Sequence, residues 1–145
     1  MLSREIAELR ASYVALIKQI SPNMVVTLGA RLSISPITFQ TDAKEFLNRI
    51  QRQQRARNWS KWPKADRPVA IGFIEKTKTN PHMHIALKAP DDLIAPFLAG
   101  SSVWRTVRPQ GDYHSDHIAD PARYASYITK EFYMPVTHEE AFVYA

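Results

Sequence analysis

The apolar residues of the first twenty positions recur at helical intervals. Ile6, Leu9, Tyr13, Leu16, Ile17 and Ile20 share one stripe, which predicts a helix over residues 3–20, ended by Ser21-Pro22-Asn23. The pattern then changes. Met24 to Leu32 is rich in Val and Leu and reads as a strand. Ser33 to Gln40, with Pro36, reads as a loop. Thr41-Asp42 opens a second helix, with Phe46, Leu47 and Ile50 inward, running to about Trp59. Pro63 and Pro68 bracket a connector. Val69–Glu75 and His82–Lys88 are two strand-like runs around a short polar turn, which predicts an antiparallel hairpin. Pro90-Asp91-Asp92 begins a short helix through Leu98, stopped by Gly100. Residues 103–118 hold one or two strand-like pieces around Pro109-Gln110-Gly111, with "DYHSDH" at a sheet edge. Asp120-Pro121 supplies an N-cap and an N1 proline for a last helix to about Phe132, closed by Pro135.

That order is one helix, then strand–helix–strand–strand–helix–strand, then a final helix. It predicts an α+β, ferredoxin-like βαββαβ antiparallel sheet with an extra N-terminal helix and a C-terminal helix that carries tyrosines. The 145 residues, 45% of them hydrophobic, suit a single domain. Its core is expected at about 24–132, with 133–145 a tail or short docking segment. There are no internal repeats. The absence of cysteine excludes disulfides, thiolate metal sites and a catalytic thiol. The first twenty residues carry charges throughout and lack a signal-type apolar core, and no run is long enough to span a membrane. A cytoplasmic, non-membrane protein is the expectation.

Charge narrows the class of partner. Lys and Arg number 19 against 14 Asp and Glu, a net charge of +5, which favours a polyanion. The excess concentrates between Arg49 and Arg67, where Arg49, Arg52, Arg55, Arg57, Lys61, Lys64 and Arg67 face the single acid Asp66. Trp59 and Trp62 lie among them. Such a segment can hold phosphates and stack on bases. It is equally what a solvated helix face anchored to the core by two tryptophans looks like.

The chemistry-bearing stretch is "NPHMHIALKAP". His82 and His84 are two of only five histidines. On a strand, positions i and i+2 share a face, about 7 Å apart. Two imidazoles so placed can converge on one divalent ion. Glu75, across the hairpin, would complete a two-His, one-carboxylate set that suits Mg²⁺ or Mn²⁺ as well as Zn²⁺ and is open to water or substrate. The plainer alternative is a chance pair, hydrogen-bonded or exposed. Downstream, "YASYITKEF" places Tyr124, Tyr127 and Lys130 on one helix face. A phenol beside a metal-bound phosphate can attack it and form an ester, with a lysine supplying charge. Half-buried core tyrosines and a helix-end lysine would look the same.

Glu75, then "PHMHIAL" and then "YITK", in that order on a βαββαβ pattern, resembles the HUH endonuclease superfamily and, within it, rolling-circle replication initiator (Rep) proteins. The resemblance spans roughly Val25 to Phe132. It implies that His82 and His84, with Glu75, hold Mg²⁺ or Mn²⁺. It implies that Tyr127 nicks single-stranded DNA and stays joined to the 5′ phosphate, with Lys130 assisting and Tyr124 the alternative nucleophile. The expected partner is single-stranded DNA, an origin hairpin or nick site of a plasmid or phage; the chain stops soon after the tyrosine helix, so no helicase domain is expected in it, and recruitment of a separate helicase is left open. Phosphate contacts are expected from Arg49, Arg52, Arg55, Arg57, Lys76 and Lys78, and base stacking from Trp59, Trp62 and Trp104. His114 and His117, in "DYHSDH", form a second cluster with at most a supporting role. Single-domain transposases resemble the chain in size and histidine pair, but carry glutamine where Lys130 stands. A non-catalytic, basic nucleic-acid-binding module would share the charge without needing Glu75, His82, His84 and Tyr127 together.

Overall fold

In the computed structural model, which describes residues 4–75, 80–120, 123 and 141–145, helix α1 (Arg4–Ile20) leads into strand β1 (Met24–Gly29). Helix α2 spans Pro36–Arg55, β2 Val69–Glu75, β3 His82–Lys88, α3 Asp91–Leu98, α4 Ser101–Val107, β4 Asp112–His117 and β5 Ala141–Tyr144. The strands form one sheet in the order β4-β1-β3-β2-β5, each antiparallel to its neighbours. The first crossover, β1–α2–β2, leaves a gap that β3 fills. The second, β3–α3–α4–β4, steps over β1. This interleaving is the ferredoxin-like α+β arrangement expected from the element order, with β5 added at the far edge. Among the described residues, no helix is long and apolar enough to cross a membrane.

Several boundaries differ from expectation, each for a local reason. β1 stops at Gly29, three residues short of Leu32, and Arg31 adopts a left-handed φ of 68°. Residues 36–40, expected as loop, are the first turn of α2. Ser35 caps it by accepting from the Thr38 N–H at 3.2 Å, and Pro36 sits at N1, where its missing N–H costs nothing. The helix ends at Arg55 rather than near Trp59. Ala56 turns left-handed (φ 57°), and residues 56–61 continue as a tighter 3-10 turn. Where strand-like pieces were expected from residue 103, α4 forms instead. Val103, Trp104 and Val107 lie at helical spacing, and Val103 and Trp104 are buried. Residues 141–144, expected in the tail, pair with β2 as β5. Of the helix expected over residues 120–132, the described residues include Asp120 and Arg123 alone. The Arg123 N–H donates to the Asp120 side chain at 3.3 Å, the N-cap bond expected there.

Alternation along the strands sorts side chains onto two faces. Met24, Val26 and Leu28 of β1, with Met83, Ile85 and Leu87 of β3, meet Phe39, Phe46, Leu47 and Ile50 of α2, Phe97 of α3 and Trp104 of α4. This is the main core. On the opposite face, Ile71, Phe73 and Ala86 are covered by Tyr13 and Ile17 of α1, with Tyr13 and Phe73 edge to face at 5.0 Å.

Candidate functional site

Period-two alternation puts His82 and His84 on the α1 side of the sheet, away from α2. The register aligns them in transverse rows. One row reads Asp112, Gly29, His82, Glu75 across β4, β1, β3 and β2. The next reads His114, Thr27, His84, Phe73. The apolar patch under α1 begins at Phe73, so the histidines border that helix and remain partly exposed.

Glu75 and His84 meet on a diagonal of the hairpin, with Oε2 2.8 Å from Nε2. A carboxylate oxygen accepts, so the imidazole donates from Nε2. His82 faces Glu75 directly in register, and its ring leans over Gly29. A Cβ at position 29 would stand 3.3 Å from the His82 Cδ2 and Nε2 atoms and 2.9 Å from the Cβ of Asp112. Glycine is therefore the residue that lets the ring and the Asp112 side chain close over β1. The Gly29 carbonyl is held by the indole N–H of buried Trp104 at 3.1 Å. All three residues expected as metal ligands thus share one face, and two of them touch through the atoms that would ligate. Among the described residues, no three His, Asp or Glu side chains converge closely enough to hold an ion together.

The basic residues are arranged differently from expectation. α2 lies on the other side of the sheet, so Arg49, Arg52, Arg55 and Arg57 are not brought to the histidines. Arg49 binds Glu45 at 2.9 Å and donates to the Thr106 hydroxyl at 2.9 Å. Arg52 lies over the Trp59 ring, 5.6 Å from its centroid, and Arg57 is exposed on the following turn. Arg55 is not a surface residue. Its side chain is 1% exposed, is held by both oxygens of Asp92 at 2.8 and 2.9 Å, and stacks on Trp62 at 3.8 Å. It ties α2 to α3 and is closed to phosphate. Trp104, expected to stack on bases, is 0% exposed and belongs to the core. Stacking there is excluded by its packing against Phe39 and Phe46. Lys76, Lys78, Tyr124, Tyr127 and Lys130 lie outside the described residues.

His114 and His117 lie on edge strand β4, as expected, but three positions apart and so on opposite faces. His114 and Asp116 border a groove of about 390 Å³ beside β4 that includes none of Glu75, His82 and His84.

Arg31 and Asn80, missed by sequence reasoning, join the end of the histidine row together with Asp112, which sequence reasoning places only with the second histidine cluster. Arg31 places its Nε 3.0 Å from Oδ2 of Asp112. Its backbone N–H donates to Oδ1 of Asn80 at 2.7 Å, and Asn80 reaches Asp112 at 3.5 Å. Their sequence separation, and the left-handed backbone that turns Arg31 toward β4, left no periodic signal to find. Comparison of the chain with protein-family models, curated proteins and solved structures finds no match.

Proposed function

We propose that this protein is a metal-dependent enzyme that nicks and rejoins single-stranded DNA through a covalent 5′-phosphotyrosine, in the manner of a rolling-circle initiator of a plasmid or phage. The observation that carries the reading is the pairing of Glu75 with His84 and the alignment of His82 beside them, on one accessible face of adjacent strands. Glu75 lies seven positions before His82, and that spacing puts both at the same level of the hairpin, so motif order and geometry agree.

The donor set of two imidazoles and one carboxylate fits Mg²⁺ or Mn²⁺. When bound there, such an ion supplies Lewis-acid polarisation of a phosphate oxygen. Until then Glu75 fixes the His84 ring, and Gly29 leaves room for the His82 ring above β1. Tyr127 is assigned the attack: its phenolate oxygen bonds to phosphorus, and the bond from phosphorus to the 3′ oxygen breaks. That oxygen leaves with the electron pair and takes up a proton. Lys130 offsets the phosphate or phenolate charge. The free 3′ hydroxyl reverses the reaction or primes synthesis.

A second reading has its own observation. A ferredoxin-like, basic binding module would show what the described residues show, which is no convergence of three ligands. Labelled single-stranded oligonucleotides incubated with Mn²⁺ and run on denaturing gels separate the two. The nickase forms a covalent band that requires Mn²⁺ and disappears in Tyr127→Phe and in the His82→Ala/His84→Ala double variant. Loss in Tyr124→Phe instead moves the nucleophile one turn back. DNA binding without any adduct, and without Mn²⁺ binding by calorimetry, favours the module.

A further inference from the structure

We propose that Arg31 is the phosphate anchor of the histidine face, gripping a backbone phosphate of bound DNA beside His82; this rests on the reading of that face as a DNA site. Four observations converge on it. Arg31 stands at the end of β1, next to the row Asp112, Gly29, His82, Glu75. It holds a φ of 68°, a left-handed conformation that side-chain-bearing residues rarely adopt. The surroundings hold it there: Asn80 takes the Arg31 N–H at 2.7 Å, and the neighbouring Ala30 N–H donates to the Pro81 carbonyl at 3.0 Å. Both clamps come from the residues immediately before His82, so the loop that presents the histidines also sets the arginine. Finally, Asp112 engages Nε at 3.0 Å while the Arg31 side chain remains 57% exposed.

That last arrangement distinguishes an anchor from a structural ion pair. An exposed salt bridge contributes little to stability. A guanidinium has five donors in a planar fork, and among the described residues the Asp112 carboxylate engages Arg31 at Nε, which leaves the two terminal nitrogens to suit two phosphate oxygens. Of the residues expected to hold DNA, the described ones, Arg49, Arg52, Arg55 and Arg57, lie across the sheet, and the histidine face draws its cation from elsewhere in the fold. Among the described residues of the histidine row and its ends, Arg31 supplies it.

The test is fluorescence anisotropy of the full chain with a labelled single-stranded oligonucleotide over a range of salt, alongside the covalent-adduct assay. Arg31→Ala is compared with Arg105→Ala, which removes the same charge from exposed α4 on the other side of the sheet. The anchor predicts that Arg31→Ala binds several-fold more weakly and that its log–log salt slope falls by about 0.7, the value of one phosphate contact on a single strand. Arg105→Ala leaves the slope unchanged, and Arg31→Lys restores the slope but not the full affinity. Equal losses in Arg31→Ala and Arg105→Ala, or an unchanged slope in Arg31→Ala, overturn the anchor. If the slope falls as expected while the wild type forms no adduct on any oligonucleotide, the anchor stands and the nicking activity falls. If the wild type does not bind the oligonucleotide, both fall.

Discussion

Arg55 shows how a charge that looks like surface chemistry becomes structure. In the sequence it belongs to a run of basic residues; in the fold it is buried against Trp62, and among the described residues its Nη1 has no hydrogen-bond partner. Asp92 is what makes that burial tolerable. Asp92→Ala should therefore destabilise the protein by about 2–4 kcal/mol, seen as a lower urea midpoint, because it strands a buried cation. The pH dependence follows. The hydrogen bond from Arg55 is the main cause holding the Asp92 carboxyl below its ordinary 3.8. A depressed folded pKa contributes stability that is complete above 3.8 and is lost as pH falls through the lowered folded value. Asp42 works the other way: burial raises its carboxyl above 3.8, against the pull of Arg108, so its cost is relieved as pH falls toward 3.8. Acid unfolding below 3.8 should thus be blunted in Asp92→Asn, whatever its starting stability.

The hairpin β2–β3 follows its sequence pattern closely, while the elements at either edge of the sheet depend on their partners. β5 has only four residues, yet Phe142 sends a buried ring into the main core and Tyr144 is bonded to both Gln51 and Asn48 of α2. Phe142→Ala should cost about 3 kcal/mol and uncover the edge of β2, detectable as a lower unfolding midpoint and as concentration-dependent association. On the opposite edge, β4 is backed by α3 and α4. The Tyr113 hydroxyl donates to the Phe97 carbonyl, and burial pushes its phenol well above the ordinary value. Gly100 is needed between those helices because a Cβ there would stand 2.7 Å from that hydroxyl oxygen.

Across the molecule, the sheet divides two kinds of surface. His82, His84, Glu75, Asp112 and Arg31 line one side; the arginines of α2 and its following turn lie on the other. The net charge of +5 is therefore not a measure of how basic the candidate site is. If the DNA is held at the histidine face, Arg52→Ala/Arg57→Ala should leave the salt slope of binding unchanged. The rate of adduct formation at saturating oligonucleotide should be unchanged. A loss of that rate would place the scissile phosphate on the helix side of the sheet.

The βαββαβ order of the core, the hairpin and the common face of His82, His84 and Glu75 were legible in the linear pattern. Period-two alternation and a short turn are local properties, and they decide which side chains share a face wherever the strand is placed. The α+β class followed for the same reason. The side of the sheet on which each charge lies was not legible. Arg55, Trp104 and Arg31 each read as one more basic or aromatic residue, and their fates were settled by distant partners: Asp92 for Arg55, the Gly29 carbonyl for Trp104, Asn80 and Asp112 for Arg31. Nor did Ala141–Tyr144 carry a strong strand signal, because four residues become a strand only when an existing edge supplies their hydrogen bonds. Local periodicity determines what a segment is; burial and pairing across the sheet determine what each of its side chains is free to do.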